Sequence, residues 1–364
     1  MSKILFLVNH DVVIYNFRLE LVERLLENGH KVVISSPYGE RIEDLKKLGC
    51  EYREIDISRH GMNPAKELKL ISEYKKLLKD VKPDIVFAYT IKPNIYGSMA
   101  CRTLKIPCVT NITGLGTAVE NGGIAQKITV MLYKLAFGKV QTVFFQNEEN
   151  MQFFIDKKIT DEKKYKLLPG SGVNLKRFDA IEYPMNSENT EFAFISRIMK
   201  EKGVDQYLET AEYIKQKYPN TVFHVCGFCE QAYEDKLKEL SDKGIIIYHG
   251  MVRDVKKVLE NVHCTIHPTY YPEGISNVLL ESSACARPII TTDRSGCREV
   301  IDDGVNGYIV KQKDSEDLIQ KVEKFLQLTR EQQKEMGSAG RRKVEKEFDR
   351  QIVVDKYCLE VENV

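Results

Sequence analysis

Residues 192–203 read Phe192-Ala-Phe-Ile-Ser-Arg-Ile-Met-Lys-Glu-Lys-Gly203. The run 192–196 has the length and apolar content of a strand buried on both faces. Arg197 follows it directly, then Lys202-Gly203, and the spacing beyond predicts an amphipathic helix over 203–218. The same order of strand, loop and helix recurs on either side. Toward the C-terminus, strands are predicted at 222–226, 245–248, 265–267, 289–291 and 308–310. Helices are predicted at 230–242, 255–261, 277–284 and 315–328, followed by a charged helical tail over 330–364. Toward the N-terminus, strands are predicted at 4–8, 31–35, 84–88, 108–110, 143–146 and 165–168, with helices at 17–28 and 65–79. Gly29 stops the first of these helices and Pro83 the second. Alternating strands and helices build parallel sheets covered on both faces. Two such runs predict an α/β chain of two doubly wound, Rossmann-like domains, 1–170 and 171–347, facing across a cleft. The hinge is read at 169–173 and the polar 184–189. Ligands of open α/β sheets bind beyond the carboxyl ends of strands, so the informative residues are expected there.

Composition narrows the function. The chain has 364 residues, 43% hydrophobic and 29% charged, as in a soluble globular protein of about two domains. Its 54 Lys+Arg against 53 Asp+Glu argue against a nucleic-acid-coating protein. No apolar run approaches the ~20 residues of a spanning helix. The first residues run from strand 4–8 into Asn9-His10-Asp11, too short a stretch for a signal peptide. Nine cysteines, dispersed and odd in number, suit a reducing cytoplasm. Residues 1–170 hold 26 Lys+Arg and 20 Asp+Glu, and the remainder 28 and 33. A basic and an acidic half suggest different partners, although composition noise explains the difference equally well.

Three groups of residues after strands carry chemistry. Arg197 and Lys202, near a helix start, suit a diphosphate: the guanidinium forks two oxygens and the ammonium adds a point charge. Taken alone, they also read as a solvated basic loop. Pro272-Glu273-Gly274-Ile275-Ser276-Asn277 follows the strand 265–267. Gly274 permits close approach of a ligand, and Ser276 or Asn277 can cap the next helix. The amides of that turn point at an anion, and Glu273 is placed to accept from sugar hydroxyls. Glu281, two turns into the helix 277–284, suits the vicinal hydroxyls of a ribose.

Arg197-x4-Lys202-Gly203 together with Glu273-x7-Glu281 resembles the family 4 glycosyltransferases, which have the GT-B fold and retain anomeric configuration. The resemblance covers nearly the whole chain. Thr90-Ile-Lys-Pro-Asn-Ile-Tyr-Gly97 and Asn111-Ile-Thr-Gly-Leu-Gly116 look like the bacterial capsule and O-antigen branch. That branch includes transferases adding N-acetylgalactosamine or related sugars to undecaprenyl-diphosphate-linked acceptors. The resemblance implies a catalytic group of Glu273, Arg197 and Lys202. Arg197 and Lys202 would bind the donor diphosphate, Glu273 the sugar, and the amides of Gly274, Ile275, Ser276 and Asn277 the phosphates. Glu281 would bind the ribose, with the base near Gly250, Met251 and Val252. It further implies weaker acceptor or cleft contacts at His10, Asn16, Arg18, Lys92, Thr113, Gly114 and Gly116. The last helix, within 348–364, would pack back on the first domain. The expected partners are a UDP-sugar and a lipid-diphosphate-linked sugar, with no nucleic acid.

Two departures from the family stand out. The first β–α turn, Asn9-His10-Asp11-Val12, lacks the usual paired glycines, for which Gly114 and Gly116 are possible stand-ins. The family's first-domain histidine is replaced around Thr90-Ile91-Lys92; His10 is either a substitute near the sugar or a structural side chain. No Asp-x-Asp is present, so no metal and no cofactor are expected, the charge being carried by Arg197, Lys202 and helix amides. Cys226-Gly-Phe-Cys229 suits a redox pair or half a zinc site with His224 and His249, but reads better as structural. The basic amphipathic stretches 124–139 and 65–82 suit an anionic membrane surface, or else pack on the sheet as ordinary helices. The expected location is the inner face of the cell membrane. The rival readings are a GT-B epimerase or phosphorylase, and a non-catalytic nucleotide-sugar-binding subunit.

Overall fold

The computed structural model describes residues 1–57, 63–120 and 122–364, without the side chains of 117 and 118. The chain divides into two units. Unit 1 is Met1–Gly172 with Pro272–Gly274 and Arg350–Val364; unit 2 is Val173–Tyr271 with Ile275–Asp349.

Unit 1 is built on β1 (Lys3–Leu7), β2 (Lys31–Ser36), β3 (Glu51–Glu54), β4 (Ile85–Tyr89), β5 (Cys108–Ile112), β6 (Thr142–Phe145) and β7 (Tyr165–Leu167). They pair in parallel in the order β3-β2-β1-β4-β5-β6-β7. Side chains alternate across a strand, so each face of a doubly covered sheet takes every second residue. Leu5, Leu7, Val86, Ala88 and Phe145 enter the core on one face, and Ile4, Phe6, Ile85, Phe87 and Phe144 that on the other. The last helix, Arg350–Glu362, covers the second face with Val353, Val354, Tyr357 and Val361. It is fastened at both ends. Arg350 Nη1 donates to both Glu20 carboxylate oxygens at 2.9 Å. The buried Glu360 carboxylate accepts from Thr142 Oγ1 (2.8 Å), Gln141 Nε2 (3.0 Å) and Lys166 Nζ (2.6 Å).

Unit 2 is built on β8 (Thr190–Ile195), β9 (Thr221–Cys226), β10 (Ile247–Gly250), β11 (Cys264–His267), β12 (Ile289–Thr292) and β13 (Gly307–Val310), all parallel, in the order β10-β9-β8-β11-β12-β13. Strand order reverses between β1 and β4 in unit 1 and between β8 and β11 in unit 2. These switch points are where the carboxyl ends of an open sheet make a crevice.

Some local expectations shift. β3, Glu-Tyr-Arg-Glu, has no apolar run because it is an edge strand with exposed charges. The strand expected at 245–248 lies at Ile247–Gly250: Ile245 N instead donates to Leu240 O, closing the preceding helix. That helix begins at Glu234 rather than 230. The helix expected at 17–28 lies at Leu19–Glu27, and a separate short helix, Val12–Phe17, precedes it across Arg18.

Candidate active site

In unit 2, the loop leaving β8 carries Arg197 and then a single 3-10 turn, Lys200–Lys202. The loop leaving β11 lies against it. Tyr270 N donates to Glu201 O (2.9 Å), and Thr269 Oγ1 donates to the same oxygen (3.3 Å). Gly203 makes this approach possible: with φ +78°, a Cβ there would lie 2.1 Å from Pro268 O. Helix Val204–Lys217 starts at that glycine.

The result is a pair of cations over one ring. Arg197 Cζ is 5.2 Å and Lys202 Nζ 4.9 Å from the centroid of Tyr271, within cation–π range. Arg197 Nη1 also donates to Glu230 Oε2 at 2.5 Å. Lys202 is only 7% exposed. Burial, and then the neighbouring Arg197 charge, push its ammonium down to about 7. Deeper still, His267 at the end of β11 is buried, and burial followed by the Lys202 charge holds its imidazole well below the usual range. Its Nε2 is 3.2 Å from Ser276 Oγ. Two cations drawn together at the switch point favour an anion, with the Glu230 carboxylate on Arg197 partly offsetting their charge.

The helix Asn277–Ala284 follows as expected, with Ser276 at its N-cap position. The Ser276 side chain makes no capping bond, because its hydroxyl is turned to His267. Its amide donates to Gly296 O (2.8 Å), so the expected phosphate contact from that amide is displaced by a bond within the fold. Glu281 is half-buried on this helix. Gly250 ends β10 with φ +63°, its carbonyl accepting from Gly227 N at 2.8 Å; Met251 is exposed and Val252 half-buried beyond it.

Glu273 and Gly274 lie in unit 1. There Asn147 Nδ2 donates to both Glu273 O and Gly274 O, each at 3.1 Å. A Cβ on Gly274 would fall 2.1 Å from Gln146 Oε1 and 2.9 Å from Thr113 O. The close approach that this glycine permits is therefore to protein. Gly114, φ +150°, abuts Pro272 O and the Glu273 backbone in the same way, and Gly116 (φ +77°) faces Ile91. Of the remaining first-half residues, His10 Nδ1 lies 2.8 Å from Asp11 Oδ1 at the end of β1. Asn16 O accepts from Arg350 Nη1, and Lys92 Nζ donates to Glu67 Oε1 at 2.7 Å. Arg18 is buried, its guanidinium over the rings of Tyr89 (5.1 Å) and Tyr357 (5.9 Å). Tyr271, Glu230, His267 and Asn147 escape a reading of the sequence. Asn147 carries a helix-start signal, Asn before two glutamates, but the carbonyls that accept from it are more than a hundred residues away.

All nine cysteines are free thiols, and burial pushes Cys226 up to about 12 and Cys229 up as well. His224 Nδ1 and His249 Nε2 are 2.9 Å apart, and His224 Nε2 is 2.8 Å from Glu191 Oε2. Among the described residues no group of three or more His, Cys, Asp or Glu is placed to hold a metal ion.

Two Rossmann-like units in one chain are the architecture of the GT-B fold. The chain belongs to the glycosyltransferases of group 1 and the 4-like type: residues 176–343 match the model "Glycosyl transferases group 1" and residues 3–147 "Glycosyl transferase 4-like". It is 28% identical, over 89% of each chain, to the N,N'-diacetylbacillosaminyl-diphospho-undecaprenol alpha-1,3-N-acetylgalactosaminyltransferase of Campylobacter jejuni. It is 25% identical, over 70% of this chain and 69% of the relative, to the UDP-Gal:alpha-D-GlcNAc-diphosphoundecaprenol alpha-1,3-galactosyltransferase of Escherichia coli. Among solved structures, Anabaena Alr3699/HepE in complex with UDP and glucose shares the fold over 100% of both chains, with a TM-score of 0.81 at 15% identity.

Proposed function

We propose that the protein transfers an N-acetylhexosamine, such as N-acetylgalactosamine, from a UDP-sugar to an undecaprenyl-diphosphate-linked glycan during bacterial surface polysaccharide synthesis. The observation that carries this reading is the convergence of Arg197 and buried Lys202 over Tyr271 at the unit 2 switch point. Diphosphate-linked acceptors in the names of the Campylobacter and Escherichia relatives support the acceptor class. In this reading Arg197 forks two diphosphate oxygens, and Lys202 neutralises the charge that grows as UDP leaves. Glu281 takes the ribose hydroxyls, Gly250–Val252 flank the base, and Glu273 accepts from the sugar hydroxyls. The bond from the anomeric carbon to the UDP oxygen breaks with oxocarbenium character. The acceptor oxygen bonds to that carbon on the same face, giving retention, and its proton passes to the departing phosphate. Arg197 and Lys202 supply the positive charge, so the reaction is proposed to need no metal and no cofactor.

A peripheral membrane location is part of the same reading. Helix Gly123–Phe137 buries Thr129, Tyr133, Ala136 and Phe137 in unit 1. Its other face leaves Ile124, Ile128, Met131 and Leu135 exposed, at 77%, 39%, 55% and 51%, in a line at helical spacing. Lys127 and Lys134 lie on that face, which matches an anionic phospholipid surface in both apolar content and charge. Helix Pro64–Val81 does not offer the same: Leu70, Tyr74, Leu78 and Val81 are spent on the core. Among the described residues no helix is long and apolar enough to cross a membrane.

A thermal-shift panel of UDP, GDP, ADP and their sugar conjugates, run with EDTA, tests the donor site. Stabilisation by UDP and one UDP-sugar, lost in Arg197→Ala, is expected. Transfer assayed in EDTA, with the product anomer read by NMR, tests metal independence and retention. No shift with any nucleotide would remove the support for the donor site. UDP binding without transfer to any polyprenyl-diphosphate glycan would favour a binding subunit.

A further inference from the structure

We propose that Asn147 is a positioning residue that aims Glu273 by clamping the backbone of the tripeptide that carries it. This rests on the role proposed above for Glu273.

Asn147 follows β6 and is 2% exposed. Both ends of its side-chain amide are committed. Oδ1 accepts from Asn150 N (2.9 Å), capping helix Glu148–Asp156. Nδ2 donates to two successive carbonyls, Glu273 O and Gly274 O, at 3.1 Å each. A backbone N–H on one side and two backbone carbonyls on the other leave only one orientation of the amide. The cap ties the side chain to a helix, and the fork ties that helix to the tripeptide. The two neighbours of the clamp limit the tripeptide on other sides. Gln146 fills the space where a Gly274 Cβ would stand, and its Nε2 donates to Asn111 Oδ1 (3.4 Å). Asn111 Nδ2 donates to Tyr357 Oη (2.7 Å), anchoring that chain in the last helix. Gly114 closes against Pro272 O.

A carboxylate on a loop is a poor ligand for a transition state unless its backbone is held, because a misplacement of about 1 Å can cost about 100-fold in rate. Here two adjacent carbonyls are gripped by one rigid donor, which restrains both the translation and the twist of the Glu273 peptide. Asn147 touches no reacting atom and acts only through Glu273.

Asn147→Asp is the informative substitution. Aspartate keeps the N-cap and adds a favourable charge at a helix start. In place of the donor it sets an oxygen against two carbonyl oxygens. Asn147→Ser keeps a capping hydroxyl and removes the fork without adding charge, which covers a failure of the first variant to fold. The measurements are UDP affinity, thermal unfolding, and the kcat and KM of UDP release from UDP-N-acetylgalactosamine with an undecaprenyl-diphosphate-linked N-acetylhexosamine. The two variants are also made in the Glu273→Ala background. The expected result is a fall in kcat of at least about tenfold with UDP affinity within about twofold. In the Glu273→Ala background neither variant should cause a further loss. Turnover within about twofold of the parent in both variants overturns the proposal, as do losses that multiply with that of Glu273→Ala. If Glu273→Ala itself keeps full turnover, the role of Glu273 falls, and this inference with it.

Discussion

Arg197 donates to Glu230 at 2.5 Å while lying over the Tyr271 ring that it shares with Lys202. In the donor site proposed above, the guanidinium that would fork a diphosphate carries on Nη1 a carboxylate whose charge opposes an incoming anion. Both partners are more than a third exposed, so the pair is worth only about 0–1 kcal/mol. Glu230→Gln should therefore tighten UDP binding by up to about fivefold, and Arg197→Ala should weaken it by about 10- to 100-fold, the worth of a charge-assisted fork. Calorimetric titration of UDP into both variants checks the two directions together.

In the proposed donor site, buried Lys202 should make UDP binding sensitive to pH. Burial pushes its ammonium down to about 7, and a diphosphate bound beside it would raise that value. Protonation is then linked to binding. UDP affinity should be flat below pH 7, fall about tenfold per unit above it, and level off again beyond the raised value. In Lys202→Met the slope should vanish. For the unliganded fold, the unfolded lysine binds more protons between about 7 and 10.5 than the folded one. The Lys202 contribution to stability should therefore rise with pH across that window. Affinity measured from pH 6 to 9, with unfolding followed in parallel, tests both signs.

Ile128→Glu and Met131→Glu place a charge in the exposed line on helix Gly123–Phe137. Each should cost binding to phosphatidylglycerol vesicles at least tenfold while leaving UDP affinity unchanged. Raising salt should weaken parental binding, because Lys127 and Lys134 contribute by charge. Vesicle co-sedimentation reads this out. Equal binding to neutral phosphatidylcholine would remove the electrostatic part, and a stable dimer or captured protein partner without vesicle binding would reassign the face.

Glu360→Ala should destabilise the protein by about 1–3 kcal/mol. It removes the carboxylate that accepts from Thr142, Gln141 and Lys166 and loosens the last helix from β6. Urea unfolding should show a lower midpoint, with UDP affinity preserved in the native baseline.

Cys226 and Cys229 should be inert. Thiols raised by burial are poorly ionised at neutral pH, so neither should react with a disulfide reagent at pH 7.5 without denaturant. A double Cys→Ser variant should keep turnover.

Much of the architecture is written in local pattern. A strand buried on both faces must be apolar at nearly every residue, so β1, β4, β8 and β11 stand out from their surroundings. Edge strands escape this rule. β3 is charged and β10 alternates, which is why one is invisible in the sequence and the other shifts by two residues. Arg197, Lys202, Glu281 and the 272–277 loop are legible because each follows a recognisable strand or lies on the helix after one. Their partners are not. Glu230 sits in the loop after β9, Tyr271 four residues beyond β11, and neither has a local signature.

Sequence by itself determined the two doubly wound sheets, the family, and the cationic and acidic residues that lie after their strands, because period, caps and spacing are properties of short segments. Tertiary structure alone decided how those residues are held. It turned the Ser276 amide to Gly296, set Glu230 on Arg197, lowered Lys202 by burying it, and put Glu273 in the grip of Asn147. Each of these joins residues far apart in the chain, where the outcome depends on which side chains packing brings within about 3 Å and which it removes from water.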